Sequence, residues 1–364
     1  MLVGGAKSYF IIATSVRGGV KIMRSPDTKQ SIGSARQAFF STLLLGVTLV
    51  LCLLAAEAFL RVKNSAMTNY DIEMWRYANE LKLKSDDPQI DFDHRRSQSA
   101  LLQSTEIRLN SMGLRGPEIT PVQDNQRRIL FLGGSIALGW GVVEKDTVEV
   151  RLDRMLNDGG DAAQVLNGGV GNYNAERYVS RFFKELTPLK PTDIVVHYFL
   201  RDAEELPPGG GNILLRHSEL AVTLWIAFHR LFDKHGEGSL VDHYRSVYDP
   251  SAHGFVVMQA KLRELADYAR QNNIRIYLTM MPDVHNLVDY KFGFVHEIMR
   301  EIARNDGYVF IDLLPGMLGY PPEKLWAMPG DPHPNGFGHD LMARAIYPVL
   351  AAEGPSATSA IVRD

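Results

Sequence analysis

Arg128-Ile-Leu-Phe-Leu-Gly-Gly-Ser-Ile-Ala-Leu-Gly-Trp-Gly-Val142 is the stretch that decides the fold of this chain. The apolar run Ile129–Leu132 predicts a buried strand, and the two glycines after it end the strand at a tight turn. Ser135 follows, where a helix would begin. An α/β protein presents a nucleophile in this way, because the turn brings the hydroxyl to the carboxyl edge of the sheet. A glycine-serine loop without a catalytic role is the alternative for this stretch alone, and a dinucleotide site is disfavoured because GxGxxG is absent.

A second stretch with chemical meaning, Gly330-Asp-Pro-His-Pro-Asn-Gly-Phe-Gly-His339, lies near the end of the chain. Asp331 and His333 stand two residues apart in a predicted loop rich in proline and glycine. A serine hydroxyl needs a base to take its proton, and that base needs a carboxylate to orient it. Ser135, His333 and Asp331 are therefore the candidate catalytic residues. His339 falls inside the next predicted helix, which favours a structural role.

Composition excludes several classes of protein. The 364 residues carry a formal net charge of −3 and are 45% hydrophobic, which suits one large domain with an appendage. A nucleic-acid binder would show a basic face, so that class is disfavoured. Cys52 is the only cysteine, so no internal disulfide is expected. The eleven histidines show no zinc-binding spacing, and we expect no metal site.

The N-terminal part predicts a membrane helix. Residues 38–56 contain no charge, and the apolar run extended to 60 includes one acid, Glu57. That length spans a hydrocarbon core, and the excess of lysine and arginine before it favours an inner-membrane protein with its C-terminal domain outside the cytoplasm. A cleavable signal peptide is the alternative, since Ala56-Glu-Ala58 resembles a cleavage site, although the run exceeds a usual signal. Met23 is an alternative start of the chain.

From Arg127 onward, apolar strands alternate with helical patterns, which predicts a parallel sheet covered on both faces. The predicted strands are 128–133, 164–168, 193–199, 274–281 and 308–313, and the predicted helices lie near 147–157, 175–187, 255–272, 287–305 and 338–352. Right-handed crossovers place the carboxyl ends of all strands at one edge. The loops that carry Ser135, Asp331 and His333 are therefore expected to meet at that edge.

The predicted organisation has five parts: a cytoplasmic basic tail over 1–37, a transmembrane helix over 38–60, a juxtamembrane segment over 61–126, an α/β domain over 127–353, and a tail over 354–364. The juxtamembrane segment is expected to hold a short amphipathic helix within 67–84, a loop-like stretch over 85–105, and an edge strand followed by a loop over 107–117. Arg115 either reaches an active-site carboxylate or holds that loop, and the second is favoured. The long crossover 200–273 is either a lid or acyl-chain contact, or a helix packed on the sheet.

These residues resemble the SGNH or GDSL-like hydrolases, in particular a bacterial membrane-anchored branch linked with exopolysaccharide and O-acyl modification. The likeness covers about 105–350. Gly133-Gly134-Ser135 resembles the Gly-Asp-Ser block with glycine in place of the aspartate, and Asp331-x-His333-Pro-Asn matches the last block closely. Asn167-Gly-Gly-Val-Gly-Asn-Tyr-Asn174 resembles the second block.

The resemblance implies a flavodoxin-like three-layer α/β/α sandwich with a five-stranded parallel sheet in the order 2-1-3-4-5. It implies that the backbone of Gly171 or Asn172 donates to the oxyanion. It also implies that Arg201 occupies the position of the asparagine that donates to the oxyanion in this family, a departure from the family pattern. Such enzymes act on acyl esters, often carbohydrate O-acetyl groups, without a cofactor.

Two functions from different classes remain open at this stage. The leading one is a membrane-anchored serine esterase or O-acyl transferase that acts outside the cytoplasm, with an acyl ester or a glycan as substrate and a membrane acyltransferase as a partner. The sequence does not separate hydrolysis from transfer. The second is a catalytically degenerate domain that binds glycan or scaffolds a polysaccharide assembly complex, which Gly134 and Arg201 motivate.

Overall fold

The computed structural model describes residues 28–64, 69–123, 125–209, 213–232, 237–329 and 331–352. Residues 1–27 and 353–364 lie outside it. These residues include most of the predicted N-terminal tail and all of the predicted C-terminal tail. The chain divides into two units, Met1–Ala56 and Glu57–Asp364.

The helices of the described residues are α1 (Thr28–Asn64), α2 (Tyr70–Glu80), α3 (Ser135–Leu138), α4 (Val148–Asp158), α5 (Ala175–Arg181), α6 (Ile213–His217), α7 (Glu219–Phe232), α8 (Glu237–Val247), α9 (His253–Gln271), α10 (Gly293–Asp306), α11 (Leu314–Met317) and α12 (Gly336–Ala352). The strands are β1 (Lys82–Lys84), β2 (Phe92–His94), β3 (Ser99–Leu102), β4 (Thr105–Arg108), β5 (Arg127–Gly133), β6 (Ala163–Asn167), β7 (Asp193–Phe199), β8 (Arg275–Met281), β9 (Val309–Asp312), β10 (Trp326–Met328) and β11 (Asp331–Pro334).

Helix α1 contains the candidate membrane span. Its part Arg36–Asn64 is long and apolar enough to cross a bilayer. The side chains from Arg36 to Ala55 are exposed, as they would be if lipid covered them.

The central sheet confirms the predicted fold class. Its five strands are all parallel in the order β6-β5-β7-β8-β9, which is 2-1-3-4-5 in chain order. Every residue of β5 is buried, as expected for the middle of a sheet covered on both faces.

Two hydrophobic cores lie on opposite faces of this sheet. Ile129 and Phe131 of β5 pack into the core that contains residues of α4 and α12. Leu130 and Leu132 pack into the core formed by residues of α5, α9 and α10. Alternate side chains of one strand point to opposite faces, so the two cores give a three-layer α/β/α sandwich.

The segment between the candidate span and the sheet is more structured than expected. The stretch predicted to be loop-like contains β2 and β3. The predicted edge strand, β4, pairs with β3 in a separate hairpin instead of joining the central sheet. A third cluster, which includes Tyr77, Leu102, Ile107 and Trp140, packs this segment against the turn that follows β5.

Two other details differ from the sequence-based expectation. The predicted loop around His333 is in fact strand β11, which pairs antiparallel with β10. Prolines are tolerated there because a two-stranded hairpin has free edges. Helix α10 begins at Gly293 and not near 287, since the Asn286 side chain accepts from the backbone N–H groups of Val288 and Asp289 and forms a turn.

Candidate active site

Ser135 lies at the carboxyl end of β5, as the first residue of the short helix α3. The approach to it requires glycine, because a Cβ on Gly133 would lie 2.7 Å from the His197 carbonyl oxygen and 2.9 Å from the Ala137 Cβ. Gly139 ends α3 in the left-handed conformation, with φ 76°. The glycines of the deciding stretch thus shape a turn that places the serine at the edge of the sheet.

Arg115 holds this turn. Its Nη1 donates to the carbonyl oxygens of Leu138 at 2.7 Å and Gly139 at 2.6 Å, and its Nη2 donates to that of Val142 at 2.6 Å. Asn167 adds a fourth bond, from its Nδ2 to the Ala137 carbonyl oxygen at 2.8 Å. The sequence favoured a role for Arg115 in holding the loop over 107–117, but its guanidinium mainly holds a different segment, the turn that carries Ser135.

The two predicted reacting side chains lie together. Ser135 Oγ is 2.7 Å from His333 Nε2, although 198 residues separate them in the sequence. His333 is buried, and the ring of Tyr70 is tilted beside it with 5.8 Å between ring centroids. The backbone of Asp331 belongs to β11, but its side chain lies outside the described part of the structure, so its role as the orienting carboxylate stays a prediction.

A cavity opens over this pair. Its walls come from the ends of β5 and β7, the loop after β6, helix α2 and β11, and the residues are Tyr70, Met74, Gly134, Ser135, Ile136, Asn172, Tyr173, His197, Phe199, Arg201, Asp202, Leu206 and His333. Tyr70 and Met74 were not singled out as site residues from the sequence. The signal available for them was the amphipathic pattern of their helix, which does not reveal what the helix packs against.

Gly171 and Asn172 are the two candidates for the backbone N–H that would donate to an oxyanion. The Gly171 N–H donates to the Tyr77 hydroxyl at 2.9 Å, so this amide already has a partner. Asn172 has φ 60°, lines the cavity, and has no hydrogen-bond partner for its N–H among the described residues. The geometry therefore favours Asn172 over Gly171 as the backbone donor.

Arg201 lines the same cavity from the residues after β7. Its Nε donates to Glu204 Oε2 at 3.2 Å, and 52% of its side chain is exposed. The Arg201 side chain therefore lies at the rim of the Ser135 pocket and also forms an ion pair with a neighbouring acid.

Two buried titratable side chains lie in the cavity wall. Burial raises the pKa of Asp202 well above its ordinary value, although the Phe199 N–H donates to Oδ2 at 3.2 Å. Burial lowers the pKa of His197 to about 4, and His197 Nδ1 lies 2.7 Å from Thr279 Oγ1. His197 is therefore uncharged at neutral pH, and burial shifts Asp202 toward its uncharged form, so the inner wall favours a neutral substrate.

His339, by contrast, serves the fold. It is fully buried, and its Nδ1 accepts from the backbone N–H of Val148, the first residue of α4. No group of three or more His, Cys, Asp or Glu side chains within the described residues could hold a metal ion.

Comparisons with known proteins give distant structural likenesses. No family model matches the chain, and no curated protein matches it. Among solved structures, it is similar to one assigned to the G-D-S-L family of lipolytic proteins from Desulfitobacterium hafniense, with a TM-score of 0.40, 15% identity, and 61% of this chain and 98% of the other covered. It is also similar to TesA, with a TM-score of 0.42, 16% identity, and 62% and 98% coverage. A third is the acetyl xylan esterase AlAXEase, with a TM-score of 0.38, 16% identity, and 61% and 99% coverage.

Proposed function

We propose that this protein is a serine esterase or acyl transferase that acts on neutral acyl esters. The observation that carries the proposal is the 2.7 Å separation of Ser135 Oγ and His333 Nε2 at the carboxyl end of β5, inside a cavity. A hydroxyl within hydrogen-bond reach of an imidazole is the arrangement that activates a serine nucleophile.

The reaction follows from these atoms. Ser135 Oγ attacks the ester carbonyl carbon while its proton passes to His333 Nε2. The negative charge on the carbonyl oxygen is stabilised by the N–H groups of Ser135 and Asn172, each contributing roughly 3 kcal/mol. The imidazolium returns the proton to the departing alcohol, leaving an acyl group on Ser135. Water or a second hydroxyl then takes the acyl group with His333 as base, and Asp331 is proposed to orient the imidazole throughout.

The substrate class is proposed from the cavity and from the resemblance. His197 is uncharged at neutral pH and burial shifts Asp202 toward its uncharged form, so the inner wall favours a neutral group, while Arg201 offers donors at the rim. Carbohydrate O-acyl groups fit this description, being small neutral esters on a hydroxyl-rich frame. The apolar part of α1 is proposed to anchor the protein in the inner membrane, with the catalytic unit outside the cytoplasm.

A second candidate is a degenerate domain that binds glycan without catalysis. Gly134 and Arg201 stand where the family that this chain resembles has an aspartate and an asparagine. The pairing of Arg201 with Glu204 would also remove a hydrogen-bond donor from the oxyanion. In that case the Ser135–His333 contact would be a remnant.

Turnover of an aryl acetate by the full-length protein in detergent separates the two candidates. Esterase function predicts hydrolysis that is lost in Ser135→Ala and retained in Ser99→Ala, a serine exposed on β3. Equal rates for the parent and Ser135→Ala would favour the binding domain.

A further inference from the structure

Helix α7 in the long crossover exposes several large apolar side chains on one side. Leu224, Trp225, Phe228 and Leu231, which we call the apolar face of α7, recur at helical spacing and are 51% to 75% exposed. Large apolar side chains grouped in this way on a protein surface mark a site of interaction.

The opposite side of α7 already packs against the protein. Glu219 and Val222 are buried, and Ile226 is half-buried. These three positions follow each other at three- and four-residue spacing, so they define a separate stripe on the helix. The apolar face is therefore a second surface, additional to the one that holds α7 in the fold.

The start of α7 is bound by a residue of the candidate membrane span. The Glu57 carboxylate accepts from Ser218 Oγ at 2.8 Å and from the backbone N–H groups of Glu219 at 3.1 Å and Leu220 at 3.0 Å. It thus satisfies the free N–H groups at the helix N-terminus. Glu57 lies within Arg36–Asn64, the span itself.

Three further bonds tie the same region together. Arg61 Nη2 donates to the His217 carbonyl oxygen at 2.7 Å, and Asn64 Nδ2 donates to Glu219 Oε2 at 2.8 Å. Trp75 Nε1 of α2 donates to the Leu215 carbonyl oxygen at 2.6 Å. Since Tyr70 and Met74 of α2 line the catalytic cavity, one connected set of contacts joins the end of the span, the start of α7 and the active site.

The Glu57 contacts also explain the acid that interrupts the apolar run of the span. A carboxylate at the edge of a bilayer is costly unless it is paired and hydrogen-bonded. Glu57 receives three N–H or O–H donors from the start of α7 and a fourth from Arg61 Nε at 2.8 Å. The acid near the end of α1 therefore has its hydrogen-bond partners at the start of α7.

We propose that the apolar face of α7 inserts into the interfacial layer of the lipid bilayer that the span crosses, so that the catalytic cavity is held close to the membrane surface. An amphipathic helix with a tryptophan and large aliphatic residues on one side binds membranes in this way. The occupant of the apolar face is thus phospholipid. The inference depends on membrane anchorage by α1, which is part of the proposed function.

Depth-dependent quenching of Trp225 tests the proposal. The full-length protein is reconstituted in phosphatidylcholine and phosphatidylglycerol vesicles whose acyl chains carry bromine at a shallow or a deep position. We expect shallow bromine to quench the parent emission several-fold more strongly than that of Trp225→Phe, which retains Trp75, Trp140 and Trp326. Equal quenching of the parent and Trp225→Phe would overturn the proposal.

A paired variant gives a second measurement. Leu224→Glu with Leu231→Glu should shift Trp225 emission to longer wavelength and abolish its shallow quenching, whereas Val256→Glu, an exposed valine on α9, should change neither. Unchanged quenching in the paired variant would overturn the proposal. Crosslinking of Leu231→Cys to a second copy or to another protein would also overturn it.

Flotation of the same vesicles separates this inference from the anchorage it depends on. A protein that fails to float with the lipid lacks the anchor, so the proposed anchorage by α1 and the proposed placement of α7 are both wrong. A protein that floats without Trp225 quenching retains the anchor, and only the interfacial placement of α7 is wrong.

Discussion

The turn after β5 and helix α7 belong to the same unit of the chain, yet they differ in which kind of side chain they bury. At the turn, polar groups are buried and bonded within the protein: Arg115 alone bonds three backbone carbonyls beside Ser135. On α7, large apolar side chains are exposed. The first region is held by contacts within the chain, whereas the exposed face of the second is proposed to contact lipid.

This difference teaches where each part of the function resides. A self-contained polar turn preorganises chemistry, because its geometry does not depend on what surrounds the protein. An exposed apolar helix fixes location, because its stability depends on the surrounding medium. Variants in the first region should therefore change rate and stability in any medium, and variants in the second should have effects only where lipid is present.

The largest effect is expected at His333, the proposed catalytic base. His333→Ala removes the group that takes the Ser135 proton, so kcat should fall by about 10⁴-fold or more. His253→Ala, an exposed histidine on α9, is the matched control and should retain the parent rate. The measurement is aryl acetate turnover in detergent, and a loss below tenfold for His333→Ala would remove the imidazole from the mechanism.

The next effect concerns the clamp on the turn. Arg115→Ala removes the guanidinium donor from the buried carbonyl oxygens of Leu138 and Val142, and one of two donors from that of Gly139, which should cost roughly 3 kcal/mol of stability. Arg115→Lys should recover part of this loss, because one ammonium cannot reproduce the guanidinium fork. Thermal unfolding in detergent measures the stability of both variants. An unchanged melting temperature in Arg115→Ala would show that the turn is stable without the Arg115 side chain.

Arg201 lies at the start of the long crossover and lines the cavity over Ser135. Arg201→Ala should lower turnover roughly a hundredfold, as loss of an oxyanion donor does, and Arg201→Asn should recover part of it. Arg108→Ala removes another exposed arginine in an ion pair with a glutamate and serves as the control. Parent-like activity of Arg201→Ala on several esters would show that Arg201 is a surface residue without a role in turnover.

The smallest effect is a change in the pH dependence of stability. Burial lowers the pKa of His197 to about 4, against about 6.5 in the unfolded chain. Between these values the unfolded state binds more protons, so stability is present above pH 6.5 and falls as the pH drops toward 4, by at most about 1.4 kcal/mol per pH unit. His197→Gln should reduce this slope between pH 6.5 and 4, while His253→Gln should leave it unchanged.

The sequence predicted the parts of the fold that depend on local pattern. The five strands and their order follow from apolar runs such as Ile129–Leu132 and from the resemblance to a known family. Ser135 and His333 were predicted as a pair because the chemistry of a serine nucleophile requires a base, and their side chains lie in contact.

The remaining features depend on contacts between distant segments, which no local pattern reports. Tyr70 reaches the cavity only because its helix packs beside the turn, and the choice of Asn172 over Gly171 depends on the Tyr77 hydroxyl, 94 residues away from Gly171. The strand around His333 was missed because Pro332 and Pro334 are typical of loops, and an edge hairpin accommodates them.

The most direct test of the central claim is to locate a fluorophosphonate adduct by peptide mass spectrometry in the full-length protein and in His333→Ala. The reagent forms a stable bond with a serine only when the hydroxyl is activated by a base. We predict a single adduct on Ser135 in the parent protein and a labelling rate reduced by orders of magnitude in His333→Ala. Absence of an adduct on Ser135, or equal labelling in the two proteins, would contradict catalysis by this pair.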